Sequence, residues 1–165
     1  MVIIVRHGEI YTKSMPVRRQ FIRRLVQNIQ MALPKAEVES RHWRIYVKTN
    51  TATAEGRAMK KLKRVFGIIS FSPAEECGLS IEAIQRKVKK DFLPAVAKSK
   101  SFALSTQRID KTIKIRSDEV NKKIGQFVKD KTGVKVDLDN PDITLYIELY
   151  NDLAYLFTEK IRGPA

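Results

Sequence analysis

The chain has 165 residues, 43% of them hydrophobic, and its 32 Lys and Arg outnumber 18 Asp and Glu to give a formal net charge of +14. This length allows one domain or two small ones, with enough apolar side chains for a folded core. So basic a surface attracts polyanions, which puts nucleic acid first among partners and an anionic membrane surface second. The single cysteine excludes an internal disulfide and any zinc site built on paired cysteines.

The apolar segments of the sequence are short. None approaches the roughly 20 residues that a membrane-spanning helix needs. The apolar start Met1–Val5 meets Arg6 and His7 too early for a signal peptide. One unpaired cysteine suits a reducing compartment. We therefore expect a soluble, cytoplasmic protein that does not enter a membrane.

The first half of the chain alternates short strands with amphipathic helices. Val2–Val5 is a β-branched run typical of a buried strand. Phe21, Leu25 and Ile29 recur at helical spacing before Pro34 ends the helix. The further predicted elements are strands at 37–40 and 43–48, a helix at 54–65 and a strand at 67–71. This order predicts a ferredoxin-like βαββαβ unit, which we assign to residues 1–77.

Residues 78–165 predict a second unit. Ser80 is a good N-cap for its first helix, and Pro94 weakens or ends that helix. Ser117 caps a later helix that Gly133 closes. The predicted strands are 102–106, with 112–116 as a candidate extension, 143–149 and 154–158. The fold class expected for the whole chain is therefore α+β, a ferredoxin-like unit followed by an α/β domain.

The pattern Arg6-His7-Gly8-Glu9 after the first strand resembles the phosphohistidine motif of phosphoglycerate mutase-like phosphatases. In those enzymes the histidine attacks phosphorus while arginines hold the phosphate oxygens. The chemistry also needs a second histidine from far along the chain, whereas the other histidine here, His42, falls in a predicted hairpin turn of the same unit. Because a four-residue motif is a weak signal, a phosphatase that uses His7 is the minor alternative. The plainer interpretation is a pair of solvated residues at a strand end.

Other catalytic motifs are missing from the sequence. It contains no GxxxxGK[ST] phosphate loop, no GxGxxG, no HExxH and no Ser-Gly-Gly-x-Asp loop of the ATP-pyrophosphatase type. Cys77 follows Glu75 and Glu76, whose negative charge raises rather than lowers the pKa of a thiol, so we expect a structural cysteine. The sequence therefore predicts no catalytic residues, no metal site and no cofactor in this chain.

Two stretches carry a family resemblance. The first contains Val5-Arg6-His7-Gly8-Glu9-Ile10, Lys13, the pair Arg18-Arg19 ahead of Phe21, and Asn28-Ile29. The second contains Arg108-Ile109-Asp110-Lys111-Thr112, Ser117-Asp118-Glu119-Val120-Asn121, Gly133-Val134-Lys135-Val136-Asp137-Leu138, Asn140-Pro141-Asp142, Ile147-Glu148 and Thr158-Glu159-Lys160-Ile161-Arg162-Gly163. The first resembles the N-terminal start of the tRNA 4-thiouridine synthetases, with His7 and Thr12 in place of their usual Tyr and Leu. The second resembles a THUMP domain, which we assign to residues 78–165.

The resemblance implies a function in tRNA modification. In the synthetases the ferredoxin-like and THUMP units bind the acceptor end of tRNA. A following ATP-pyrophosphatase domain uses ATP with Mg to adenylate uridine 8, and a persulfide from a cysteine desulfurase supplies the sulfur. This chain ends about where the family's link into that domain begins, so the resemblance implies that the catalytic domain is supplied in cis or in trans.

The residues expected to contact RNA are cationic, because Lys and Arg supply the phosphate contacts that dominate affinity. We expect Arg18 to turn outward past the helix end toward an anion held by free backbone N–H groups, or else to extend along the surface as an ordinary arginine. Asp110 is a structural alternative partner for Arg108 or Lys111. The predicted RNA contacts are Lys13, Arg18, Arg19 and Arg23 in the first unit and Arg108, Lys111, Lys114, Arg116 and Arg162 in the second.

A second function class stays open beside the synthetase. Stand-alone THUMP proteins present tRNA to another modifying enzyme, and this chain could be such an adaptor. The ferredoxin-like unit favours the synthetase, because it is that enzyme's own companion domain. The sequence leaves open whether the chain forms a homodimer.

Overall fold

The computed structural model describes residues 1–8 and 13–164, so Glu9, Ile10 and Thr12 of the family resemblance lie outside the described residues. The first elements along the chain are β1 (Val2–His7), α1 (Met15–Ala32), β2 (Glu37–Arg41), β3 (Arg44–Lys48), α2 (Ala52–Leu62) and β4 (Ile68–Gly78). They are followed by α3 (Ile81–Asp91), α4 (Leu93–Ala97), β5 (Ser101–Arg108), α5 (Ser117–Thr132), β6 (Lys135–Val136), β7 (Ile143–Tyr150), β8 (Leu153–Phe157) and β9 (Ile161–Arg162).

The chain forms two compact units, of which the first is built from two separate stretches. Unit 1 contains Met1–Ala74 and Glu159–Ala165, and unit 2 contains Glu75–Thr158. The sequence-based boundary between residues 77 and 78 differs at both ends of the second unit. The C-terminal stretch lies with unit 1 because β9 pairs with β4 at Ser70 and Phe71.

Unit 1 has the ferredoxin-like order of strands, β2-β3-β1-β4, and every pair in it is antiparallel. Ile3 and Val5 alternate toward the helices, because successive side chains of a strand point to opposite faces. They pack with Leu25 and Ile29 of α1 and with Leu62 of α2 in one buried core. The predicted βαββαβ unit is confirmed.

Unit 2 places the strands β7, β5 and β6 in parallel, with β8 antiparallel to β7 and to the end of β4. The predicted N-cap of α3 is confirmed, since Ser80 Oγ accepts a hydrogen bond from the N–H of Ala83 at 3.1 Å. Gly133 closes α5 with a φ of 70°, a left-handed conformation that glycine adopts without steric cost. Helices α3 and α5 bury Ile84 and Ile124 against the strands.

The structure corrects several details of the sequence-based elements. Residues 112–116 form no strand and belong to the loop before α5, whose N-cap is Arg116 rather than Ser117. The short strands β6 and β9 were not predicted, and β4 extends well beyond residue 71. Trp43 was placed in a strand, but it lies in the turn between β2 and β3.

Candidate nucleic-acid interface

The loop between β5 and α5, residues 109–116, carries three exposed cations of unit 2. Ile113 is 6% exposed and anchors the loop in the core. Lys111 and Lys114 lie on either side of it and are exposed. Asp110 shapes the turn, because its carboxylate accepts hydrogen bonds from the N–H and the hydroxyl of Thr112 at 3.0 Å and 2.7 Å. The loop therefore presents its lysines from a fixed backbone.

Arg108, at the end of β5, stabilises this loop through a hydrogen bond to its backbone. Its Nη1 donates a hydrogen bond to the carbonyl oxygen of Ile113 at 3.0 Å, and the side chain is half-buried. A hydrogen bond from a charged donor contributes about 1.5–3 kcal/mol. The structure thus gives Arg108 a positioning role in addition to the RNA contact that the sequence predicts for it.

Arg116 is exposed at the start of α5. It forms an ion pair with Asp118 at 3.3 Å, and both side chains are 74% exposed. Exposed pairs of this kind contribute little to stability, so RNA phosphate can compete for the arginine. The first turn of α5 also contains Asp118 and Glu119. These carboxylates occupy the end of the helix dipole that favours negative charge, so the cationic side chains of the loop, rather than the helix end, are suited to phosphate.

In unit 1 the predicted residues follow one another along the chain: Lys13 lies just before α1, Arg18 and Arg19 lie near its N-terminus, and Arg23 lies near its middle. The Nε of Arg18 donates a hydrogen bond to the carbonyl oxygen of Lys13 at 3.1 Å. Its guanidinium lies over the ring of Trp43, with the central carbon 5.7 Å from the ring centroid. The structure therefore directs Arg18 toward an aromatic ring and a carbonyl oxygen, where the sequence predicted an anion. Lys13, Arg19 and Arg23 are exposed.

A groove of about 580 Å³ separates this part of α1 from the β2–β3 turn. We name it the α1–hairpin groove. Its polar lining comes mainly from Arg19, Arg23 and Gln27 of α1 and from Arg41, His42 and Trp43 of the hairpin. The sequence prediction included two of these residues and missed the hairpin. The missed signal was a tryptophan next to a histidine, where two short strands meet.

Arg162 lies in unit 1, not in the second unit to which the sequence prediction assigned it. It is exposed on β9, opposite Ser70 of β4. The predicted cations therefore form one group just before and along the first half of α1, a second group at the end of β5 and in the β5–α5 loop, and a separate position on β9.

The side chains of Arg6 and His7 contact neighbouring groups of unit 1. Nη1 of Arg6 donates to the hydroxyl oxygens of Ser70 and Ser72 at 3.3 Å and 3.0 Å. Nδ1 of His7 lies 3.0 Å from the carbonyl oxygen of Gly8, while Nε2 is buried without a hydrogen-bond partner among the described residues. A phosphatase nucleophile must be reached by its substrate, so the buried Nε2 of His7 gives the phosphatase alternative no support.

Cys77 is a poor nucleophile for a reason that the sequence shows only in part. Burial raises the pKa of its thiol from 9.0 to about 11, against the lowering effect of Lys87 and Arg86, and Glu76 adds to the rise. The expected effect of neighbouring carboxylates is present, but desolvation is the larger cause of the raised pKa.

Among the helices of the described residues, none is long and apolar enough to cross a membrane.

Two family models match nearly the whole chain. The ThiI ferredoxin-like domain matches residues 2–72, and the THUMP domain matches residues 79–159. The "Probable tRNA sulfurtransferase" of Methanocaldococcus jannaschii is 45% identical over 99% of this chain. The chain spans 45% of the length of that relative.

Solved structures share the fold. The protein PH1313 from Pyrococcus horikoshii superposes with a TM-score of 0.84 and 40% identity, over 98% of this chain and 55% of its own. A 4-thiouridine synthetase, solved as an RNA complex with bound ATP, superposes with a TM-score of 0.79 over 98% of this chain and 42% of its own. At 24% identity the second likeness shows the fold alone.

Proposed function

Since the chain belongs to the family of proteins in which a ThiI ferredoxin-like domain precedes a THUMP domain, we propose that it binds the acceptor stem and 3′ end of tRNA. The observation that carries the proposal is the order of these two domains on a chain with a net charge of +14. The exposed lysines of the β5–α5 loop and the arginines of α1 supply cations for phosphate. The RNA bound to a synthetase of the same fold supports the choice of partner.

The bound tRNA would be presented for 4-thiouridine formation at uridine 8. In this proposal an ATP-pyrophosphatase domain, in cis or in trans, performs the chemistry with ATP and Mg, and a cysteine desulfurase supplies the sulfur. The match to a tRNA sulfurtransferase along 99% of this chain supports that role. The cytoplasm is the compartment we propose, because a single unpaired cysteine suits a reducing environment. No residue of this chain is assigned to the chemical step.

The second candidate is an adaptor that delivers tRNA to a different modifying enzyme. Its THUMP domain would bind tRNA in the same way. The ThiI ferredoxin-like domain at residues 2–72 favours the synthetase over the adaptor. Determining the genomic reading frame distinguishes them, because a frame that continues into a Ser-Gly-Gly-x-Asp loop identifies the synthetase.

The test of tRNA binding is a filter-binding comparison of three ligands at one salt concentration. Intact tRNA should bind most tightly, tRNA without its 3′ end more weakly, and duplex DNA of equal length most weakly. Single-stranded ends add base contacts that duplexes withhold, which explains this order. Equal affinity for all three ligands would leave only non-specific charge attraction and would refute the proposal.

A further inference from the structure

The β2–β3 turn has an unusual composition for its geometry. Arg41 pairs with Arg44, so the turn consists of His42 and Trp43 alone. Both have positive φ, 44° and 63°. Two-residue hairpin turns with positive φ at both positions favour Asn-Gly, because Gly bears no side chain that clashes there. The position that favours Gly holds the single tryptophan of the chain.

A bulky residue at positive φ costs on the order of 1 kcal/mol or more, and such strain persists where the surrounding structure holds it. At this turn the ring contacts Arg18, whose guanidinium carbon lies 5.7 Å from its centroid. Arg18 is itself fixed by its hydrogen bond to the carbonyl oxygen of Lys13. The half-buried Trp43 ring also lines the α1–hairpin groove.

The groove combines an aromatic ring with cations. Arg19 and Arg23 lie one helical turn apart on α1, where Cβ atoms are separated by about 6 Å. They are exposed and have no ion-pair partner among the described residues, whereas Arg41 is paired with Glu39. Two cations at this spacing suit neighbouring phosphates of one strand. Gln27 and His42 add groups that can hydrogen-bond the edge of a base.

We propose that the α1–hairpin groove binds a single-stranded RNA segment, with one base stacked on Trp43 and the adjoining phosphates bound by Arg19 and Arg23. This inference rests on the proposed tRNA binding and adds a contact site within unit 1. An aromatic platform beside a basic track is the arrangement that proteins use for single strands. A duplex cannot use it, because its bases are stacked on one another.

The single tryptophan makes the site directly measurable. The full chain is titrated with hexauridylate RNA while the intrinsic fluorescence of Trp43 is recorded. We expect saturable quenching. Arg23→Ala should weaken binding at least fivefold, since one phosphate contact is lost, whereas Arg24→Ala should stay within twofold of the wild type. Arg24 is the matched control, being the adjacent exposed arginine of α1 that does not line the groove.

The stacking contact is tested with labelled hexauridylate and fluorescence anisotropy, because Trp43 variants lose the intrinsic signal. Trp43→Ala should lower affinity about tenfold, within the usual range for base–aromatic stacking, and Trp43→Phe should retain part of it. Circular dichroism confirms that each variant is folded. If Trp43→Ala is unfolded, Trp43→Leu decides instead, because leucine keeps an apolar side chain but has no ring for a base to stack on. Wild-type affinity of Trp43→Leu contradicts stacking.

Two further ligands separate this inference from its rivals. Equal quenching by inorganic phosphate would show a simple anion site, and equal quenching by a hexaglutamate peptide would show an acidic protein partner. Either result overturns the proposal. The tRNA affinity of the same preparation is measured in parallel. If tRNA binds but hexauridylate leaves Trp43 unquenched, this inference fails while the proposed function stands. If tRNA does not bind either, the proposed function fails with it.

Discussion

Arg18 and Trp43 join the start of α1 to the tip of the β2–β3 hairpin through a guanidinium 5.7 Å from the ring centroid. Such cation–π contacts contribute from about 0.5 to 2 kcal/mol, depending on burial. We expect Arg18→Ala to lower the free energy of unfolding by about 1 kcal/mol, measured by urea denaturation. In a double-mutant cycle with Trp43→Ala the coupling should be at least about 0.5 kcal/mol. Strict additivity would show that the ring and the guanidinium do not interact.

Affinity for tRNA should fall steeply with salt, because each neutralised phosphate releases counterions. A plot of log K against log salt should be linear. Lys111→Ala and Lys114→Ala, from the exposed β5–α5 loop, should each reduce its slope by about one. Lys89→Ala is the control from an outer face of α3 and should leave the slope unchanged. Parallel lines for all three variants would place the loop outside the interface.

Arg108→Ala should weaken tRNA binding more than Lys89→Ala does, and it should also destabilise unit 2. The lost hydrogen bond to Ile113 corresponds to about 1.5–3 kcal/mol, and the β5–α5 loop should exchange its amide hydrogens faster. If Arg108→Ala keeps wild-type stability, Arg108 does not stabilise the loop.

Arg162→Ala should weaken tRNA binding without changing the free energy of unfolding, because that side chain is exposed on β9.

Cys77 should react slowly with thiol reagents in the folded protein. With a pKa of about 11, roughly one thiol in a thousand is ionised at pH 8. Dithionitrobenzoate absorbance should therefore rise much faster in urea than in buffer. Folding raises this pKa, so the unfolded chain releases its proton first and stability should fall between about pH 9 and pH 11. A Cys77→Ser variant lacks that part of the pH dependence.

Gly163→Ala should destabilise unit 1. An added Cβ would overlap the carbonyl oxygen of Ile68, and the N–H of Gly163 donates to the Ile69 carbonyl at 2.8 Å. Relieving that overlap requires β9 to shift from β4, for which we expect a loss of about 1–3 kcal/mol in urea denaturation. Gly56→Ala, within α2, is the opposite control, since a Cβ there meets no atom within 4 Å apart from its chain neighbours and the helix's own backbone. It should stabilise the helix by up to about 1 kcal/mol.

The sequence predicted most elements because their burial follows a regular period. Leu25 and Ile29 mark α1, and Leu145, Ile147 and Leu149 mark β7, all of them now buried. Trp43 was misplaced because it continues the alternation of Ile45 and Val47. Alternation does not show where pairing stops, and the turn lacks the usual Asn-Gly signal.

The candidate site was less predictable than the fold. Charge identified Arg19 and Arg23, but their partner surface comes from a hairpin distant in sequence. Arg108 looked like its neighbours Lys111 and Lys114, and only the hydrogen bond to Ile113 distinguishes it. Arg162 was assigned to the wrong unit because the two-residue strand β9 is too short to show any period.

Because β9 pairs with β4, unit 1 is completed only at the end of synthesis of this chain. A ribosome makes Met1–Ala74, then all of Glu75–Thr158, and only afterwards the residues that pair with Ser70 and Phe71. Until then this stretch of β4 presents unpaired backbone groups on that side, as an edge strand does. This edge of β4 in unit 1 therefore stays unpaired while the ribosome synthesises unit 2.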